Sequence, residues 1–494
     1  MKKFLNKMRN PEDRKVFFTI LGAKFIGLGI IYLAYKTIES CFGGTPLHAD
    51  EIPAAANAIA AATPAINMIN PINTMWTLIA AFLVFFMQSG FMMLEAGFAR
   101  SRETVNILLE GIVDTCLCGM LFYAWGFAWM FGSGNGWIGN QYYFLQGIPE
   151  TYGSSGIATL AFFLFQFAFA DCTSTITSGA MVGRTSFLGD LAYSFIVSGF
   201  IYPILGHWAW GPDGWLTIIH PVAFRDFAGS TVIHTIGGLI ALAGAVVLGP
   251  RIGRKFKRDG GGPMPGHDMT IAAVGTIILW FGWYGFNPGS TLSAMDLQGV
   301  ARVAANTTLA ACAGGLSALF FVYPRSKIWD CGMTCNGILA GLVAITAPCY
   351  WVSPAGAILI GIVAGILVVL GTDLLEYLRI DDPVGAVPVH GINGIWGTLA
   401  LGLFATGQYG LPSTIGMDYS VSIKGLFYGG GANQLIAQII GSGTISIVVL
   451  IAGFVLMYTV KAMGILRVSK KGELQGIDIH EHGGSAYPEL PTSA

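Results

Sequence analysis

The chain has 494 residues, 54 % hydrophobic and only 11 % charged, with a formal net charge of −1 and a mean hydropathy of +0.64. Soluble domains carry about 25 % charged residues, so this chain lacks the charge to cover a soluble surface. Its 12 % aromatics exclude disorder, and near-neutrality with one short basic cluster excludes nucleic-acid binding.

The N-terminus is basic (Lys2, Lys3, Lys7, Arg9, Arg14, Lys15), followed by an apolar run from about Val16 to Ala34 and then small residues around Ala49 and Ala54 to Ala62. This pattern predicts a signal peptide or N-terminal anchor over 1–49, with cleavage after Ala49 the expectation. Apolar segments of spanning length, about 20 residues each, begin near Met75, Ile107, Ile157, Phe187, Phe227, Met269, Val303, Asn336, Pro354, Val384 and Gln434. The expected fold is an all-α integral membrane protein of eleven transmembrane helices over 72–462, with a polar tail over 463–494. The 68 glycines suit close helix packing. If the first segment starts outside, the inner loops and tail hold fifteen Lys and Arg residues, against three outside (Arg225, Arg302, Lys424). That asymmetry predicts a mature N-terminus outside and a cytoplasmic C-terminus. The eight cysteines lie mostly in apolar runs and read as packing. No zinc spacing or other metal site, no cofactor motif and no enzyme constellation is read.

Two histidines stand clearly inside apolar segments, and their contexts match. Asp226-x2-Gly229-x4-His234-x3-Gly238 recurs as Asp382-x2-Gly385-x4-His390-x3-Gly394. The copies open the fifth and tenth segments, so each half holds five. An odd number per half makes the halves inverted, with a site expected at their interface near the midplane and the eleventh segment outside the repeat. Burying one polar ring is costly; two at equivalent positions point to a pore or relay, and equivalent positions predict that the rings approach each other.

At these residues the chain closely resembles the ammonium transporter family (Amt, Mep and Rh proteins). The stretch from Asp226 to His234 continues through Gly237-Gly238 to Leu248-Gly-Pro-Arg251. Further matches are Glu95-Ala-Gly-Phe98-Ala-Arg, Phe165-Gln166…Phe169, Trp280-Phe-Gly-Trp283-Tyr-Gly-Phe286-Asn-Pro-Gly-Ser290, Asn336-Gly-Ile-Leu-Ala-Gly, His390-Gly-Ile-Asn-Gly-Ile-Trp396-Gly and the tail around Asp478, His482 and Gly483. The aromatic-rich sixth-segment motif is closer to the Amt branch. The resemblance implies that Trp210, Phe169 and Ser290 line an outer vestibule for ammonium, that Phe169 and Phe286 stack as a gate, and that His234 and His390 face each other beneath it. Asp226, and Asp382 in the second copy, would be structural supports. It also implies a homotrimer and a tail that meets a PII-type signalling protein. Two positions depart from the family pattern: Gly183 stands where Ala-Glu-Arg is usual, and Asp171 replaces an expected small residue.

The chemistry agrees with these roles. Ring faces attract small cations by roughly 0.5–2 kcal/mol each, and a serine hydroxyl can accept from ammonium. A bare cation at the bilayer centre costs several kcal/mol, whereas neutral ammonia avoids most of that, and imidazole titrates near 6.5. The expected function is passage of ammonium or ammonia by recruitment, deprotonation and travel through a pore lined by twin histidines. An ammonium sensor or receptor on the same fold, with little transport, is the alternative. A haem-binding redox protein ligated by His234 and His390 is the reading from another class, separable by visible absorbance.

Overall fold

The computed structural model describes residues 66–410 and 422–487, so the signal peptide or anchor expected over 1–49 lies outside the described residues. The body consists of α1 (Ile66–Phe98), α2 (Ser101–Phe131), α3 (Thr159–Gly179), α4 (Phe187–Thr217), α5 (Ser230–Leu248), α6 (Met269–Thr291), α7 (Leu297–Ser326), α8 (Cys331–Thr346), α9 (Pro354–Leu378), α10 (Val387–Phe404) and α11 (Asn433–Ala462). Two short helices follow, α12 (Lys470–Gln475) and α13 (Ile477–His482). Between α2 and α3 lie two small antiparallel hairpins, β1 (Gly134–Asn135) with β2 (Ile138–Gly139) and β3 (Thr151–Tyr152) with β4 (Ile157–Ala158).

Among the described residues, ten of these helices are long and apolar enough to cross a membrane. The exception is α8, with 16 residues. At 1.5 Å per residue it reaches about 24 Å, short of a hydrocarbon core of about 30 Å. The chain stops being helical just ahead of Pro348, and every residue from Leu339 to Tyr350 is buried. This element is surrounded by protein, so spanning length is not demanded of it.

The outer surface of the helices is unlike that of a soluble bundle. Large apolar side chains face outward, among them Phe82, Phe85 and Phe86 on α1, Leu316 and Phe320 on α7, and Ile447 on α11. The tightest helix contacts fall on small residues, within an interior that also buries large side chains such as Phe122, Phe162, Phe165 and Trp283. The contact of α1 with α6 shows why: a Cβ on Gly275 would lie 2.5 Å from the Leu94 nitrogen and 2.7 Å from the Gly90 oxygen, and one on Gly97 would lie 2.5 Å from the Ala272 nitrogen. The two backbones touch, and no side chain could stand between them.

One end of the bundle gathers the basic residues. Arg251 binds Asp381 through its backbone nitrogen, Nε and Nη2 at 3.0, 2.8 and 3.0 Å. Arg184 Nη2 donates to the Asp381 carbonyl at 2.6 Å. Arg254 pairs with Glu376 and Asp381, Arg325 with Asp373, and Arg379 with Asp259. Burial alone would raise Asp381, but the Arg251 hydrogen bonds and the Arg184 and Arg251 charges hold it well below the usual carboxylate range. Burial lowers Arg184 to about 10, opposed by Asp381.

The tail docks on this same face. Arg467 Nη1 donates to the Leu248 carbonyl at 2.7 Å and pairs with Glu473, which also accepts from the Ile252 nitrogen at 2.6 Å. Asp478 accepts from the Asn106 nitrogen at 3.0 Å, and His482 Nε2 meets Asn106 Oδ1 at 2.8 Å.

Gly275→Val should lower the melting temperature of the purified protein, because overpacking costs about 1–3 kcal/mol or more and the blocking atoms are backbone. Gly262→Ala, at a loop position with nothing within 4 Å of a new Cβ, should leave it unchanged. A parental melt for Gly275→Val in detergent would contradict the packing described.

Candidate functional site

Each copy of the repeat begins with an aspartate that caps a helix. Asp226 Oδ1 accepts from the Gly229 and Ser230 nitrogens at 2.8 and 2.9 Å, and Oδ2 from Thr231 and Val232 at 2.7 and 3.0 Å. Asp382 Oδ1 accepts from Gly385 and Ala386 at 3.0 and 3.1 Å, and Oδ2 from Val387 at 2.9 Å. Each satisfies donors that a helix N-terminus leaves unpaired. Burial raises both carboxyls above the ordinary range, while the backbone donors favour the ionised form. Gly229 and Gly385 turn the chain at φ 117° and 82°, a region that side chains disfavour.

Both helices then open with a π turn, Ser230–Thr235 and Val387–Ile392, a geometry frequent at functional sites. Each turn carries its histidine. The helix α5 ends at the basic face whereas α10 starts there, so the two run antiparallel. A Cβ on Gly238 would lie 2.2 Å from the Gly391 nitrogen, and one on Gly394 would lie 2.4 Å from the Ser230 oxygen. The final glycine of each motif thus touches the opposite half.

That crossing brings His234 and His390 together. Their Nδ1 atoms lie 3.1 Å apart and their ring centroids 5.2 Å apart at 25°. One Nδ1 must donate and the other accept, so a single proton lies on this contact. Both rings are buried. His234 stacks on Trp283 and Phe286, with centroids 5.1 and 5.4 Å away. Phe286 in turn stacks on Phe169 at 4.2 Å and 18°, and Trp210 meets Phe169 edge-on at 6.3 Å.

Beyond Phe169 a cavity opens, lined by Gln166, Trp210, Phe227, Ser290 and Trp351 among others, with about 60 Å³ open to the centre of a water-sized molecule. Trp210 Nε1 donates to the Asp226 carbonyl at 2.8 Å, which fixes the ring. Ser290 Oγ donates to the Phe286 carbonyl at 2.7 Å, so its own oxygen can accept. Asp226 borders this cavity, but its carboxylate is taken up by backbone donors. On the far side of the histidines a smaller cavity, with about 10 Å³ open to a water centre, is lined by His390, Phe91, Glu95, Gly179, Asn336 and Val384 among others.

Of the two departures from the family pattern, the structure explains the one at Gly183. A Cβ on Gly183, where φ is +83°, would lie 2.8 Å from both Glu103 carboxylate oxygens. Glu103 pairs with Arg100, which donates to the Gly183 carbonyl at 3.2 Å. A carboxylate from another element therefore fills the space beside residue 183. Asp171 borders neither cavity; it accepts from Thr115 on α2 at 2.9 Å.

Sequence reasoning gave no role to Gln166, Trp283, Phe91, Glu95 or Asn336, although most of them stood inside quoted motifs. The signal for Glu95 was available: a lone carboxylate in the apolar run of α1 is costly and invites a functional question. Nothing in the periodicity marks Phe91 or Trp283 among so many aromatics.

The family model described as Ammonium Transporter Family matches residues 75–487. Ammonium transporter Amt2 of Archaeoglobus fulgidus is 44 % identical over 436 residues, 85 % of this chain and 89 % of that protein. Ammonium transporter 1 member 3 of Solanum lycopersicum is 39 % identical over 438 residues, 85 % of this chain and 94 % of that protein. Among solved structures, the Sensor Amt Protein superposes with a TM-score of 0.75 at 37 % identity, covering 84 % of this chain and 99 % of that one. Candida albicans Mep2 gives a TM-score of 0.73 at 26 % identity, covering 83 % and 89 %. A multi-pass helical membrane protein with this match over nearly all its described length belongs to the ammonium transporter family, on its Amt branch.

Proposed function

We propose that this protein moves ammonium across a membrane through a pore within each subunit. Ammonium is recruited in the vestibule by the Trp210 and Phe169 ring faces and the Ser290 oxygen. It passes the gate of Phe169 and Phe286 as that stack opens, and gives its proton to the imidazole pair. Ammonia continues past His234 and His390. Asp226 and Asp382 act by holding the two π turns, without touching substrate. The observation that carries the reading is the 3.1 Å contact of two buried imidazoles directly beneath the stacked rings.

The chain is read with the basic face in the cytoplasm, which puts the C-terminal tail there and the mature N-terminus outside. It assembles as a homotrimer with one pore per subunit, and the tail meets a PII-type signalling protein; the family resemblance supports both. A sensing role with little flux is the second reading, and the likeness to the solved Sensor Amt Protein favours it. Flux separates the two, since a sensor binds ammonium but passes little of it.

Three measurements test this assignment. A cysteine at Gly261, in the loop after α5, should react with an impermeant reagent only after permeabilisation; labelling of intact cells would reverse the orientation. Trp210→Leu keeps apolar bulk but removes the ring face, and should weaken apparent ammonium affinity by about 0.5–2 kcal/mol, roughly 2- to 30-fold. Unchanged saturation and unchanged preference over methylammonium would show the vestibule to be misassigned. The double variant His234→Ala, His390→Ala should, in reconstituted and correctly inserted protein, lose proton-coupled current or leak cations with poor selectivity. Parental current, selectivity and pH dependence in that variant would rule out the relay.

A further inference from the structure

The cavity on the inner side of the histidines holds a group that the relay does not yet use. Glu95 is 4 % exposed and lines this cavity together with His390. Its Oε2 accepts from Ser178 Oγ at 3.3 Å, and its Oε1 lies 3.7 Å from where a Cβ on Gly179, another lining residue, would stand. Among the described residues no lysine or arginine pairs with it. The charged and titratable groups that face it are Asp382 ahead of α10, Asp190 on α4, and Glu110 and Asp114 on α2, with Arg184 beyond Asp382 and His390 across the cavity. A second observation comes from Asn336 on the same wall. It is 7 % exposed, its Nδ2 donates to the Val384 carbonyl at 3.1 Å, and its Oδ1 has no hydrogen-bond partner. The cavity therefore gathers a carboxylate, an unused amide oxygen and an imidazole, all able to accept from a small donor-rich ligand. Its open space suits about one water-sized molecule.

We propose that Glu95 is the inner proton acceptor and donor of the transport cycle, and that it forms with Asn336 an exit site for ammonium. This rests on the relay reading given above. In the first step the protonated histidine pair loses an imidazolium N–H proton to the Glu95 carboxylate, directly or across one water. An N–H bond breaks and an O–H bond forms, leaving neutral imidazoles and a neutral carboxylic acid. In the second step ammonia arriving past His390 takes that proton on its lone pair. The O–H bond breaks, an N–H bond forms, and ammonium is left beside a carboxylate, with the Asn336 oxygen as a further acceptor. One ammonium enters and one leaves, and no other reactant is consumed.

The test uses the full-length protein in proteoliposomes, with current recorded after an ammonium concentration jump across a series of pH values. Glu95→Gln keeps the size and the acceptor for Ser178 but cannot take the proton. It should cut the current at least tenfold and flatten its pH dependence, at parental insertion. Glu95→Asp keeps the carboxyl and should retain measurable current with a displaced pH profile, which makes the test independent of how well the glutamine variant folds. A parental current and pH profile in Glu95→Gln, or a parental profile in Glu95→Asp, would overturn the proposal while leaving the histidine relay standing. The double histidine variant is measured alongside. If that variant behaves as the parent, or the parent itself passes no current, the relay fails and this assignment fails with it.

Discussion

The arrangement of the site depends on one close contact: the backbones of α5 and α10 touch where their π turns cross. Only glycine at 238 and 394 permits it, since a Cβ at either position would overlap backbone atoms of the other half. Everything at the centre follows from that approach. It sets the separation of the imidazoles, leaves space for a single proton between their Nδ1 atoms, and fixes which ring faces the stacked phenylalanines. The two aspartate caps supply the complementary condition. By binding three or four backbone nitrogens each, they hold the start of each π turn, and so the position of each histidine.

The same contact divides the interior into two chemically different ends. On the proposed reading, ring faces and a serine hydroxyl receive a cation on the vestibule side. On the inner side a carboxylate and an amide oxygen face a much smaller space. Between them lie stacked rings and imidazoles, which offer too few acceptors to replace the hydration shell of an ion. Burying an unpaired charge in such surroundings is expensive, while a neutral amine needs only hydrogen bonds. On the proposed reading, acceptors are placed where the substrate is charged and nearly absent where it is neutral.

Much of the architecture was legible in the sequence because a membrane imposes simple rules. Apolar runs gave the helices, charge asymmetry singled out a set of basic residues, and the ion-pair network gathers most of that set at one end. The repeated Asp-Gly-His-Gly pattern carried the inverted relation of α5 and α10. The short length of α8 was not legible, because an apolar run buried in protein looks the same in one dimension as one facing lipid. The site was legible only in part. His234 and His390 stood out because polar rings are rare in apolar runs. Glu95 and Asn336 did not, because their importance comes from a shared cavity wall built by α1, α8 and α10, which sequence spacing does not reveal.

Position 183 shows how a departure from a family pattern can be absorbed. Read along the chain, the glycine removes a carboxylate from the basic face. In three dimensions Glu103, eighty residues earlier, brings its carboxylate against the bare Cα while Arg100 binds both the carboxylate and the Gly183 carbonyl. The positive φ at 183 strains any larger residue there, and the space is already occupied, so a glutamate restored at 183 alone would meet strain, overlap and like-charge repulsion together. The charge at this point belongs to the local network of Arg100, Glu103 and Gly183 rather than to one position, and comparing single columns of sequence would count as a loss what the fold retains.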